Sequence, residues 1–226
     1  MKSLDSKAQE AGVTIRQGLL RLPGDLVVPA GACGVAIFAH GSGSSRLSPR
    51  NQSVADALQA CGIGTLLFDL LTEAEEREDF YTGHLRFDIS LLAERLVAAT
   101  HWISEQAPTR HLPVGYFGAS TGAAAALVAA AKLGHNINAI VSRGGRPDLA
   151  GEFLERVSAP TLLIVGGKDG VVIDLNEQAR EKMRCPNSLS IIPGATHLFE
   201  EPGALESVAR LASEFFLEHF HLHDPN

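Results

Sequence analysis

The chain has 226 residues, 45% of them hydrophobic and 20% charged, a balance that suits one well-filled globular core and excludes disorder, coiled coil and collagen-like repeats. Its formal charge of −7 comes without any Lys/Arg run, so nothing in it would neutralise a nucleic-acid backbone. Residues 1–16 are polar where a signal peptide needs an apolar stretch, and no apolar run reaches the length of a membrane span; we expect a soluble, cytoplasmic protein with neither nucleic acid nor membrane as partner.

In chain order, residues 14–22 and 26–29 read as two opening strands joined by a turn at Pro23-Gly24-Asp25. Short runs of Val, Ile, Leu and Phe at 35–39, 65–68, 114–117, 139–141, 162–165 and 189–192 follow as parallel strands. Helical stretches at 49–60, 88–105, 121–133, 175–183 and 204–220 lie between and after them, each bounded by Gly, Pro or a capping residue. The alternation predicts a three-layer α/β/α sandwich around a mostly parallel eight-stranded sheet with an antiparallel N-terminal hairpin. Residues 70–87 show no clear period and carry Glu73, Glu75, Glu76, Glu78 and Asp79; they read as a solvated acidic loop in preference to a lid. With no repeat or linker, residues 1–226 are expected to be one domain, with 1–13 a flexible N-terminus and 221–226 a tail.

The strand at 114–117 runs into Gly118-Ala119-Ser120-Thr121-Gly122 and then an Ala-rich helix. This is the G-x-S-x-G pattern of a nucleophile elbow, in which the serine sits on a strained strand-to-helix turn and the glycines avoid Cβ clashes on either side. A serine hydroxyl is a weak nucleophile at neutral pH and needs a base and an orienting acid. Asp169, in Gly166-Gly167-Lys168-Asp169-Gly170, and His197, in Ala195-Thr196-His197, each follow a strand, giving the order Ser, Asp, His on loops at one edge of the sheet. Singly, Asp169 reads equally well as a helix cap and His197 as a loop histidine; with the elbow, catalysis is favoured.

Acyl transfer also needs N–H donors for the developing oxyanion. The amide of Thr121 is one, and the amide of Ser42, or failing that Gly43, in His40-Gly41-Ser42-Gly43-Ser44-Ser45 is the second. That loop is no dinucleotide fingerprint, because Arg46 stands where the third glycine belongs, and neither Walker A nor H-E-x-x-H is present. Cys33, Cys61 and Cys185 follow no ligand spacing and suit a reducing compartment, and His84, His101, His111, His135, His219, His221 and His223 lack a catalytic context. No cofactor and no metal are expected.

On His40-Gly41-Ser42-Gly43, Gly118-Ala119-Ser120-Thr121-Gly122, Gly167-Lys168-Asp169 and Ala195-Thr196-His197, the chain resembles the α/β-hydrolases, and within them the dienelactone hydrolase-like branch. It also resembles hydrolase domains that occur fused to phosphoribosyltransferase domains in some bacteria. Dienelactone hydrolases proper use a cysteine nucleophile where this chain has Ser120, which sets dienelactone itself aside as the substrate. The resemblance implies hydrolysis of an ester, thioester or similar acyl bond; a small single domain without a large cap favours a small-molecule substrate, and a monomer or homodimer is expected. A serine peptidase or acyltransferase, and a catalytically silent binding module, stand as alternatives. Finally, Arg143 and Arg146, in Ser142-Arg143-Gly144-Gly145-Arg146-Pro147-Asp148, either grip an anionic group of the substrate or pair with Asp148 or the acidic stretch as ordinary ion pairs.

Overall fold

The computed structural model describes residues 9–221; the segments 1–8 and 222–226, and with them most of the expected tail including His223, lie outside. Eight strands, β1 (Gln9–Gln17), β2 (Leu20–Val28), β3 (Val35–Ala39), β4 (Gly64–Phe68), β5 (Val114–Ala119), β6 (Ala139–Arg143), β7 (Thr161–Gly166) and β8 (Asn187–Ile192), form one sheet. Their spatial order is β1-β2-β4-β3-β5-β6-β7-β8. β2 is antiparallel to both its neighbours, and every other pairing is parallel.

Six α-helices accompany the sheet: α1 (Pro49–Ala60), α2 (Glu73–Thr82), α3 (Ile89–Glu105), α4 (Thr121–Leu133), α5 (Gly170–Lys182) and α6 (Ala204–His221). The central strands are buried on both faces, so alternate residues feed two cores. Val35, Ile37 and Ala39 of β3 join the layer built by α3, α4 and α5. Ala36 and Phe38 join the layer built by α1 and α6. Helix α4 is buried continuously from Thr121 to Ala130, and its run of alanines lets it lie close against the sheet. No helix among the described residues is long and apolar enough to cross a membrane.

The opening hairpin turns elsewhere than expected. Gly18, at φ +59, and the exposed Leu19 make the turn, while Pro23-Gly24-Asp25 lie inside β2. Pro23 is tolerated there because its carbonyl accepts the Asp69 N–H (3.1 Å) just past Phe68, the last residue of β4 paired with β2. Its missing N–H faces the same way, so no ladder bond is lost. Gly24 lets β4 come close: a Cβ there would stand 3.1 Å from the Leu67 carbonyl oxygen. Residues 9–13, placed in the flexible N-terminus above, are the first half of β1 and pair with β2.

Residues 70–87 are not a loop. They hold α2 and a 3-10 turn at Leu85–Phe87. Thr72 accepts the Glu75 N–H (3.2 Å) while Glu75 accepts the Thr72 N–H (2.7 Å), a reciprocal capping box, and Gly83 ends the helix in the left-handed conformation. The three acidic residues of the first turn favour the positive end of the helix dipole. Helix α5 begins at Gly170, a turn earlier than residue 175, directly after Asp169.

Candidate active site

Strand β5 ends at Ala119, and Ser120 follows at the N-cap position of α4 with φ 50, ψ −121. Among the described residues only Ser120 and Phe199 are non-glycine residues with positive φ. Such a conformation costs about 1–3 kcal/mol and persists only where the surroundings impose it. The flanking glycines impose it by closeness. A Cβ on Gly118 would lie 2.5 Å from Ala123 Cα, and one on Gly122 would lie 2.5 Å from the His40 carbonyl oxygen. The Ser120 N–H donates to the Arg143 carbonyl (3.3 Å), and the Ser120 carbonyl accepts from Ala123 (3.1 Å) and Arg146 (3.1 Å), so the loop after β6 is bonded to the elbow.

Asp169 occupies the N-cap position of α5 but makes no capping bond. Its Oδ2 instead meets His197 Nδ1 at 2.7 Å, across 28 residues of chain. The pair is held by two loops that nearly touch. A Cβ on Gly166 would stand 2.5 Å from the carbonyl oxygens of Ala195 and Thr196, and the Lys168 N–H donates to the Ala195 carbonyl (2.9 Å). Gly166 is therefore a site-forming residue that sequence reading missed; its signal is a glycine closing a buried strand just before the acid. His197 also borders the loop after β6: a Cβ on Gly144 would be 3.5 Å from His197 Cε1. Ser120, Asp169 and His197 thus lie on three loops at the carboxyl edge of the parallel strands, after β5, β7 and β8.

The loop after β3 closes the other side, with a Cβ on Gly41 reaching to 3.0 Å from Ser120 Cβ. The Thr121 amide opens α4 and has no acceptor within its own helix. The Ser42 amide donates to Thr121 Oγ1 (3.0 Å), so the second expected oxyanion donor carries a partner in this structure. His40, buried at the start of the loop, accepts the Leu70 N–H on Nε2 (3.1 Å) and lies 3.0 Å from the Gly41 carbonyl through Nδ1. Nδ1 must then carry the proton. Burial pushes the His40 pKa below the ordinary histidine range, against smaller upward contributions from the Gly41 carbonyl and Asp69. Beside this loop lies a cavity of about 690 Å³, lined by residues of the His40–Arg50 stretch, by Leu70, Leu71, Phe80 and Leu92, and by the charged Glu76, Asp79 and Arg86.

The two arginines part company. Arg146 Nε and Nη2 donate to the two oxygens of Asp148 (2.9 and 2.8 Å), as an ordinary ion pair. Arg143 turns inward and is 8% exposed. Among the described residues, no group of three or more His, Cys, Asp or Glu side chains could hold a metal ion. Cys33, Cys61 and Cys185 are free thiols, and burial raises the pKa of Cys33 and Cys185.

A model of the dienelactone hydrolase family matches residues 66–221. The crystal structure of a dienelactone hydrolase from Anabaena variabilis superposes with a TM-score of 0.92 at 59% identity, over 94% of this chain and 98% of that one. Est1E from Butyrivibrio proteoclasticus shares the fold at a TM-score of 0.78 and 17% identity, over 93% of this chain and 100% of its own. The Mycobacterium tuberculosis protein named "putative phosphoribosyl transferase", in strains CDC 1551 and H37Rv, is 54% identical over 95% of this chain. The chain spans 48% of its length.

Proposed function

Since the chain belongs to the dienelactone hydrolase family, we propose that it is a serine hydrolase that cleaves a carboxylic ester or related acyl bond of a small substrate through an acyl-enzyme on Ser120. The observation that carries this reading is the Asp169–His197 pair at 2.7 Å, on loops at the same carboxyl edge of the sheet as a serine held at φ 50. An aspartate at an N-cap position ordinarily bonds the first helical amides; this one is spent on orienting an imidazole.

With Nδ1–H held by Asp169, His197 presents Nε2 as the base that takes the Ser120 hydroxyl proton as Oγ attacks the substrate carbonyl. The Thr121 amide and the positive end of α4 stabilise the oxyanion. The Ser42 amide joins them when the substrate oxygen replaces Thr121 Oγ1 as its acceptor. His197 then protonates the leaving group, and water activated by the same imidazole releases the acid. The carbonyl is activated by backbone amides alone, so this route needs no metal.

The transferase name of the Mycobacterium tuberculosis protein attaches to a chain about twice as long as this one. A hydrolase module joined to a second activity reconciles that name with the site described here. The free thiols suit a reducing, cytoplasmic setting.

The test is fluorophosphonate labelling paired with hydrolysis of p-nitrophenyl esters of increasing acyl length. We expect one label per chain, on Ser120, and turnover that a Ser120→Ala variant lacks. Labelling on another residue, or undiminished turnover in the variant, overturns the assignment; an inert wild-type protein supports a silent binding module instead.

A further inference from the structure

Arg143 ends β6 and is the one Lys or Arg among the described residues that is more than nine-tenths buried. Its Nη2 donates to Asn51 Oδ1 at 3.3 Å, while Nε and Nη1 are buried without a partner. No carboxylate of the described residues lies within ion-pair distance of it. A guanidinium keeps its charge, so it cannot escape this cost by losing its proton as a buried lysine does. Burial, with some help from Arg50, pushes its pKa down to about 10, and at neutral pH it remains a cation.

Among the described residues, no group immediately beside the guanidinium neutralises it. Asn51 lies in the first turn of α1, so the guanidinium sits by the positive end of that helix. Arg50, in the same turn, has a buried Nε with no partner, and only its Nη1 is used, on Glu200 at 3.1 Å. Glu200 is 64% exposed and lies at the surface. Arg146, the other cation of the loop, is neutralised by Asp148.

Arg143 borders the proposed reaction centre through its backbone, and Asn51, which its guanidinium contacts, is next in the chain to Arg50. The Arg143 carbonyl holds the Ser120 amide, Gly144 borders the His197 ring, and Arg50 lines the 690 Å³ cavity beside the loop after β3. From this juxtaposition we infer that Arg143 and Arg50 form a binding site for an oxyanion, carboxylate or phosphate, carried by the substrate. That the anion belongs to a substrate rests on the role proposed for Ser120; the anion site itself does not. Guanidinium donors match the oxygens of both anions, and a buried cation with two unused donors beside a helix N-terminus keeps hydrogen-bonding capacity that either anion would satisfy. Arg50 had no distinguishing mark in the sequence, being a polar residue at the start of an amphipathic helix.

The experiment compares kcat/KM for p-nitrophenyl hemisuccinate, its phosphonate counterpart p-nitrophenyl 3-phosphonopropanoate, and neutral p-nitrophenyl valerate. We expect the wild type to prefer one anionic ester over the neutral one by roughly 10- to 100-fold, the usual worth of a charge-assisted hydrogen bond. Which anion is preferred distinguishes carboxylate from phosphate. Arg143→Met and Arg50→Met should each remove most of that preference. Equal rates on all three esters in the wild type, or a preference that survives both substitutions, overturns the site.

Thermal melting keeps the question open to refutation if either variant is poorly active. Inorganic phosphate or succinate should raise the wild-type melting temperature and leave Arg143→Met unmoved. Without anion, Arg143→Met should melt at or above wild type, because an unpaired buried charge has been removed. Equal stabilisation of wild type and variant overturns the proposal. Selective stabilisation with no fluorophosphonate label on Ser120 keeps the anion site and sinks the serine hydrolase reading instead.

Discussion

Ser120 holds a conformation that glycine would take far more readily, φ 50 and ψ −121, because β5 and α4 meet with no space for a wider turn. Stability and chemistry should therefore separate at this residue. Ser120→Gly should stabilise the fold by about 1 kcal/mol relative to Ser120→Ala, since it relieves the same strain that alanine retains, while both lose fluorophosphonate labelling. Chemical denaturation of the two variants checks it, and equal midpoints refute the strain. Asp169 invites the complementary test. Its bond to Nδ1 selects the tautomer that leaves Nε2 free, so Asp169→Asn should lower kcat by about 10³- to 10⁴-fold while the melting temperature shifts little, because no helix-capping bond is lost.

At the scale of elements, α2 and the opening hairpin show where local chemistry outweighs periodicity. Helix α2 lacks an apolar stripe, which is why a search for a 3.6-residue period passes over it; Phe80 and Tyr81 are 77% and 85% exposed. Its start was nonetheless written in Thr72-Glu73-Ala74-Glu75, the T-x-x-E of a capping box, and its end in Gly83. Arg95 of α3 then anchors Glu75 (2.6 Å). With so few apolar contacts, the helix depends on its cap. Thr72→Ala should cost about 1 kcal/mol locally and speed amide exchange across residues 73–82 by roughly fivefold, with β5 and α4 unaffected. In the hairpin, Pro23-Gly24 imitates a turn, but Gly18 supplies the positive φ that a two-residue turn needs, and a proline inside a strand is harmless when its nitrogen faces past the partner's end.

For the whole molecule, the site is an edge where loops from β3, β5, β6, β7 and β8 converge, and His40 ties this edge to the segment after β4 by accepting the Leu70 N–H. Since burial lowers its folded pKa below the ordinary value near 6.5, the unfolded chain binds more protons between those two values. The contribution of neutral His40 to stability is thus complete above about pH 6.5 and is lost as pH falls toward the lower, folded value. Melting temperature should decline over that window, and His40→Gln, whose carbonyl can still accept the Leu70 N–H, should flatten the decline; an unchanged slope sinks the linkage. The sequence by itself determined the layered architecture, the succession of parallel strands along the chain, and the place of Ser120, Asp169 and His197 on strand-ending loops, because hydrophobic runs, strand-to-helix glycines and loop position are local properties of the chain. Partners across long stretches of chain were decided only by the tertiary structure. Asp169 could have capped α5, Arg143 and Arg146 looked alike, the Ser42 amide looked open, the close approach at Gly166 was hidden, and Arg50 carried no mark. Which side chain meets which depends on how closely two loops approach and what lies between them, and those distances are set by packing across the whole sheet rather than by neighbours in sequence.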